Sequence, residues 1–134
     1  MNINEVYLRI IETENDSDVV KLAKKEVMVI PILINAMLDE NNCRAQNILI
    51  DLSEQTPLLV YPYFQYIIQA LDRYDNFTAW NTWRIIANLL RFFVNSWGNP
   101  KNEIKIFNKR QKINLSLVFA IDRQTYAKYD CGNA

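Results

Sequence analysis

The stretch 79–97 constrains the chain most. Trp80, Trp83, Ala87, Leu90, Val94 and Trp97 recur at alternating spacings of three and four, and Ile86, Leu89 and Phe93 widen the stripe. That spacing keeps side chains on one side of a 3.6-residue helix, whereas a strand needs a period of two. A helix apolar over so much of its girth has to be buried between neighbours. Gly98-Asn99-Pro100 supplies the stop. The pattern predicts a long central helix with all three Trp on its buried stripe.

Most of the remaining chain reads in the same period. Residues 3–12 carry Val6, Ile10 and Ile11 as an apolar edge, and Asn15-Asp16-Ser17 forms a break and a capping site. Residues 18–27 form a second helical stretch with Val19, Val20, Leu22 and Ala23. Ile30, Leu33, Ile34, Met37 and Leu38 follow at helical spacing. Pro31 fits the first turn of that helix, where its missing N–H costs nothing. Asp39-Glu40-Asn41-Asn42 is a polar turn. Residues 43–55 are amphipathic, with Ala45, Ile48, Leu49 and Leu52 inward.

Thr56-Pro57 reads as an N-cap and a first-turn proline. The run to Asp72 places Phe64, Ile67, Ile68 and Leu71 on one face. Pro62 inside it either begins the regular helix or bends it. Residues 74–78 form a turn with Thr78 as cap. Residues 114–127 fit a final helix, although 115–121 alone fits a strand nearly as well. The expected fold class is all-α, in one domain spanning 1–134.

The composition removes many chemistries. With no His, every His-dependent triad, zinc site and proton shuttle is excluded. Two Gly leave no room for phosphate-cradling loops. Cys43 and Cys131 have no nearby partner motif, so a reducing cytoplasm is the expected location, while a disulfide between them stays open. The polar, acidic start lacks the apolar core of a secretory signal. The longest apolar stretches, 27–34 and 115–121, are too short to span a bilayer.

The balanced net charge hides a polarity. Residues 1–67 hold 5 Lys+Arg and 10 Asp+Glu, whereas residues 68–134 hold 10 and 5. Such asymmetry can steer an acidic partner to one end or let copies associate head to tail, but solubility with uneven scatter is the preferred reading.

An internal repeat emerges. Residues 31–38, a polar turn and 44–52 lay over residues 62–71, a polar turn and 84–92. Arg44 and Arg84 are 40 residues apart, as are Leu49 and Leu89. A period near 40 built from antiparallel helix pairs is the signature of HEAT and armadillo arrays, in which each hairpin buries its stripe only by stacking on the next. A helical bundle shows similar periodicity.

Motifs across 18–95 resemble HEAT repeats, in particular small bacterial proteins built of HEAT-like units. Arg44-Ala45 opens a first helix that Leu52-Ser53-Glu54 closes. Pro57, Tyr61-Pro62-Tyr63-Phe64 and Leu71-Asp72 follow. Trp80-Asn81 and Arg84-Ile85-Ile86-Ala87-Asn88-Leu89 open the next unit. The clearest repeats cover 27–97, and 98–134 is an atypical C-terminal segment. The resemblance implies an armadillo-like α–α superhelix, a right-handed stack of about three helical hairpins. It implies a scaffold that binds other macromolecules, and no chemistry.

Carboxylates read as caps and solvated faces. Asp16/Asp18 and Asp39/Glu40 sit in turns beside helix starts, and Asp51/Glu54 lie on an exposed face. No pair converges on a cleft as acid–base catalysis needs. No Cys or acid spacing suits a metal, so no cofactor is expected. HEAT-like folds also host DNA glycosylases, but Trp80, Trp83 and Trp97 read as core rather than as base-stacking groups.

Two surfaces remain. Tyr63, Tyr66, Ala70 and Arg73 form the stripe opposite Phe64, Ile67, Ile68 and Leu71. Tyr and Arg are favoured at protein interfaces, and the resemblance puts second helices on the concave face. Tyr63, Tyr66 and Arg73 are therefore the expected partner contacts. The stretch 101–112, with Lys101, Lys105, Lys109, Arg110 and Lys112 against Glu103, nets +4. Lys105, Lys109, Arg110 and Lys112 are candidate phosphate contacts, and an amphipathic membrane-surface helix is a further reading. The expected function is non-catalytic protein–protein binding, with a nucleic-acid-binding HEAT module as the alternative and a glycosylase-like repair enzyme behind it. The overall pI near 6.3 weighs against general nucleic-acid binding.

Overall fold

A computed structural model describes residues 2–74 and 77–97, with side chains through Phe92. Every regular element among the described residues is helical. The order is α1 (Ile3–Glu12), α2 (Asp16–Lys25), α3 (Val29–Glu40), α4 (Cys43–Gln55), α5 (Pro57–Val60), a 3-10 turn (Tyr61–Tyr63), α6 (Phe64–Ile67), α7 (Gln69–Arg73) and α8 (Phe77–Trp97).

Short polar side chains start the first helices. Asn2 Oδ1 accepts from the Glu5 N–H, Asn15 Oδ1 from the Ser17 N–H and Asn42 Oδ1 from the Ala45 N–H, each at 2.9 Å. Each bond satisfies an N–H that the helix itself cannot. α3 ends at Asn41, which sits in the left-handed region at φ 54°, and the Asn42 N–H donates back to Ala36 O. Asparagine tolerates that conformation better than other residues with a Cβ. Asp39 and Glu40 therefore belong to the last turn of α3, not to a turn beside a helix start.

The run 57–73 is not one helix. Pro57 opens α5 at its first position, as expected. Pro62 has no N–H to donate, and the chain there tightens into the 3-10 turn before α6 begins. A second break at Ile68 separates α6 from α7. Thr78, read as a cap, lies inside the first turn of α8. Its hydroxyl donates to Asn41 Oδ1 and accepts from Gln46 Nε2 at 3.0 Å.

The helices contact one another in two rows. α1 touches α3, and α3 touches α6 and α7; α2 touches α4, and α4 touches α8. The rows are tied by α3 on α4 and by α5, α6 and α7 on α8. α4 is thus enclosed by α2, α3, α5 and α8, and Ala45 through Ile50 are all buried. The core runs through both rows, from Val6 and Ile10 through Ile30, Leu33, Met37, Ile48, Leu49 and Leu52 to Ile67, Ile85, Ile86 and Leu89. Leu49 and Leu89, the pair 40 residues apart, are both fully buried.

Three burial expectations need correction. Ile11, placed on the buried edge of α1, is 55% exposed. Ala70, placed on the outward stripe, is fully buried, because the breaks at Pro62 and Ile68 shift the helical phase between Tyr63 and Arg73. Trp80 is 45% exposed rather than core, whereas Trp83 is partly buried against the core. The buried face of α8 carries Thr78, Asn81, Thr82, Arg84 and Asn88 alongside its aliphatic residues. The expectations for Trp97's side chain, for 98–134 and for a helix or strand over 114–127 fall outside the described residues.

Among the described residues no helix is long and apolar enough to cross a membrane. Cys43 is disulfide-bonded, which removes the ground on which a reducing compartment was expected.

Candidate functional site

The row α1–α3–α6/α7 carries the surface features. Between α1, α3 and the start of α4 lies a groove. Tyr7 and Ile11 form one wall, Ile32 and Ala36 the other, and Leu33 and Ile48 the floor. Its polar end is set by Glu40, Asn42 and Arg44.

Arg44 is what holds that end in place. Its Nε donates to Asp16 Oδ1 at 2.8 Å, and its two terminal nitrogens donate to Ile10 O and Thr13 O. These carbonyls lie at the C-terminal end of α1, where backbone N–H donors run out, so a cation there also meets the negative end of the helix dipole. One guanidinium thus joins α1, the α1–α2 turn, α2 and α4. Forty residues on, Arg84 on α8 sits 3.8 Å from Glu54 on α4 and is only 4% exposed. Both arginines reach back along the α2–α4–α8 row to an acid on the preceding helix. Glu54 is half-buried, not on a solvated face.

The expected partner contacts do not share one open face. Tyr66 is 56% exposed and is the open member. Tyr63 is half-buried against the core. Arg73 Nη1 donates to Leu38 O and Asp39 Oδ1, both at 3.2 Å, and the neighbouring Tyr74 hydroxyl donates to Leu38 O at 2.6 Å. Arg73 therefore closes the C-terminus of α3 across to α7, with its side chain still nearly half in water. The candidate phosphate contacts Lys105, Lys109, Arg110 and Lys112 lie outside the described residues.

Sequence reasoning missed the polar seam between α4 and α8. Gln46 is fully buried; its Nε2 donates to Thr78 Oγ1 and its Oε1 accepts from Asn81 Nδ2 at 2.9 Å. Asn88 Nδ2 donates to Ser53 Oγ at 3.0 Å and to Ile50 O at 3.4 Å. Buried amides paired this way fix the register of two helices, since sliding would break every bond together. The one available signal was four polar residues, Thr78, Asn81, Thr82 and Asn88, inside a helix that is otherwise apolar over much of its girth.

No group of three or more Cys, Asp or Glu side chains converges as a metal would need among the described residues. What the surface offers is shape, apolar area and backbone-anchored charge.

Comparison with protein-family models, curated proteins and solved structures finds no match to this chain.

Proposed function

We propose that the chain is a HEAT/armadillo-like α-solenoid whose work is non-catalytic binding of another protein. Two features support the superhelical stack: the α1–α3–α7 and α2–α4–α8 rows, and the arginine that reaches back one helix at a 40-residue interval. The observation carrying the binding role is the half-open Tyr66 on the same row as Tyr7 and Ile11. Aromatic side chains half in water on rigid helices supply contact area at low entropic cost. A cytoplasmic location belongs to this proposal, and the Cys43 disulfide is the observation that weighs against it.

Pull-down of one protein by the wild type, lost in Tyr66→Ala and kept in a Trp80→Ala control, is the expected result. Arg73→Ala is a poorer probe, because it also unties α3 from α7. Retention of the partner by Tyr66→Ala would move the binding surface elsewhere.

The nucleic-acid reading rests on the +4 stretch 101–112 alone. It predicts salt-dependent retention on DNA, with a slope reflecting several phosphate contacts. Release of free base from alkylated DNA would instead bring back the repair-enzyme reading.

A further inference from the structure

Cys43 opens α4 and is disulfide-bonded. The chain has one other cysteine, Cys131, 34 residues beyond Trp97. Side-chain pairs place Cys43 relative to α8. Gln46, in the first turn of α4, pairs with Thr78 and Asn81 at the start of α8, and Ser53 pairs with Asn88 farther along. The two helices therefore run parallel, and Cys43 stands at the end where α8 begins. α8 continues for 21 residues, about 30 Å, before the chain leaves it at Trp97. To meet Cys43, the stretch after Trp97 has to come back along the whole of α8. It has the length to do so, since 34 residue steps cover about 50 Å even as continuous helix.

The position of Cys43 also selects the face. Asn47 Nδ2 lies 4.0 Å from Cys43 Sγ, and Asp51 and Glu54 continue that line at helical spacing. Asn47 is buried and the other three are half-buried, so this stripe is not a solvated one. Glu54 meets Arg84 of α8 at 3.8 Å, and Trp80 lies one turn before Arg84. The stripe is thus one bank of the α4–α8 seam, with Trp80 and Arg84 as the other. Two of its four residues are acids. Residues 98–134 carry 7 Lys+Arg against 3 Asp+Glu, the opposite sign.

We propose that Cys43 is bonded to Cys131 of the same chain, and that the stretch leading to Cys131 lies antiparallel along the α4–α8 seam and covers it. The seam is then an internal surface held by the chain's own end, and the α1–α3–α6/α7 row is the one left to a partner. The bond selects the occupant and the end at which it is fastened, and the acids of the stripe suit its charge. This goes beyond the Tyr66 reading, which concerns the other row and fails independently of it.

Three measurements on the full chain test it. A proteolytic map without reductant should show the Cys43 and Cys131 peptides joined, in protein that runs as a single chain on a non-reducing gel. Carbodiimide labelling of carboxylates then reports on the seam. A dithiol converts the S–S bond to two thiols as it closes to its own disulfide. After that treatment Asp51 and Glu54 should label several-fold faster, while the exposed Glu12 and Glu14 label as before. Finally, Cys43 and Cys131 are 88 residues apart. Cys43→Ser and Cys131→Ser should each lower Tm by about 10–15 °C through the lost loop constraint. The double variant should lose no more than either single one. A link between two copies, a bond from Cys43 to any other thiol, or Asp51 and Glu54 labelling that reduction leaves unchanged overturns the proposal. So does a double variant whose loss is the sum of the two singles. The map and the labelling use the wild-type chain, so they decide the matter even where a variant does not fold.

Discussion

Replacing Arg44 with Met keeps most of the aliphatic stem and removes the guanidinium that joins α1, α2 and α4. Three interactions are lost. The ion pair with Asp16 has side chains 33% and 39% exposed, so solvent screens it and it contributes about 0.5 kcal/mol. The bonds to Ile10 O and Thr13 O are charge-assisted but partly wet, and each contributes about 0.8 kcal/mol net. The sum is about 2 kcal/mol. An unfolding entropy of about 2.1 cal/mol/K per residue gives about 280 cal/mol/K for 134 residues. Tm should therefore fall by about 7 °C. Circular dichroism melts measure it, with urea titration checking that the m-value is unchanged. Asp16→Asn should lower Tm by about a quarter as much, because it leaves both carbonyl contacts intact. Amide exchange should quicken in α1 before α4, since α1 has the fewest other ties to the stack. An Arg44→Met shift under 2 °C, or an Asp16→Asn shift equal to it, would refute the three-way clamp.

Other perturbations follow from the same packing. Gln46→Ala removes a fully buried side chain and both its bonds to α8, and should cost about 2–3 kcal/mol in urea unfolding. Leu49→Ala and Leu89→Ala, 40 residues apart and both fully buried, should each cost about 2–5 kcal/mol, and similar values for the two would agree with the proposed repeat. Tyr66→Ala should change stability by less than about 0.5 kcal/mol, so any loss of a partner is read as binding rather than unfolding. Alkylation of the denatured, unreduced chain should leave Cys43 unmodified, and alkylation after reduction should modify it.

Helical spacing and caps were legible wherever the signal is local. The bounds of α1 and α4 agree with 3–12 and 43–55 because an asparagine cap starts each and its buried residues recur at helical spacing, although Ile11 of α1 faces water. The run 57–73 was not legible as three short helices. Apolar periodicity reports which side is buried, and it does not report that Pro62 and Ile68 reset the phase. That reset is why Ala70 points inward and why Tyr63, Tyr66 and Arg73 do not form one stripe. Trp80 misled for a different reason. Hydrophobic type is a one-way guide to burial, and a large amphipathic ring at the first turn of a helix can stay half in water.

The polar residues of α8 carry the deeper lesson about the site. A stripe of Leu, Ile and Ala hides a helix in any apolar surroundings and at many rotations, so it fixes little. Gln46 against Thr78 and Asn81, and Asn88 against Ser53, admit one register. Arg44 and Arg84 work the same way along the row, each requiring an acid one helix back. Polar contacts therefore set the spacing of α2, α4 and α8, and apolar contacts supply the cohesion. The α1–α3 groove is held at its end by the same Arg44.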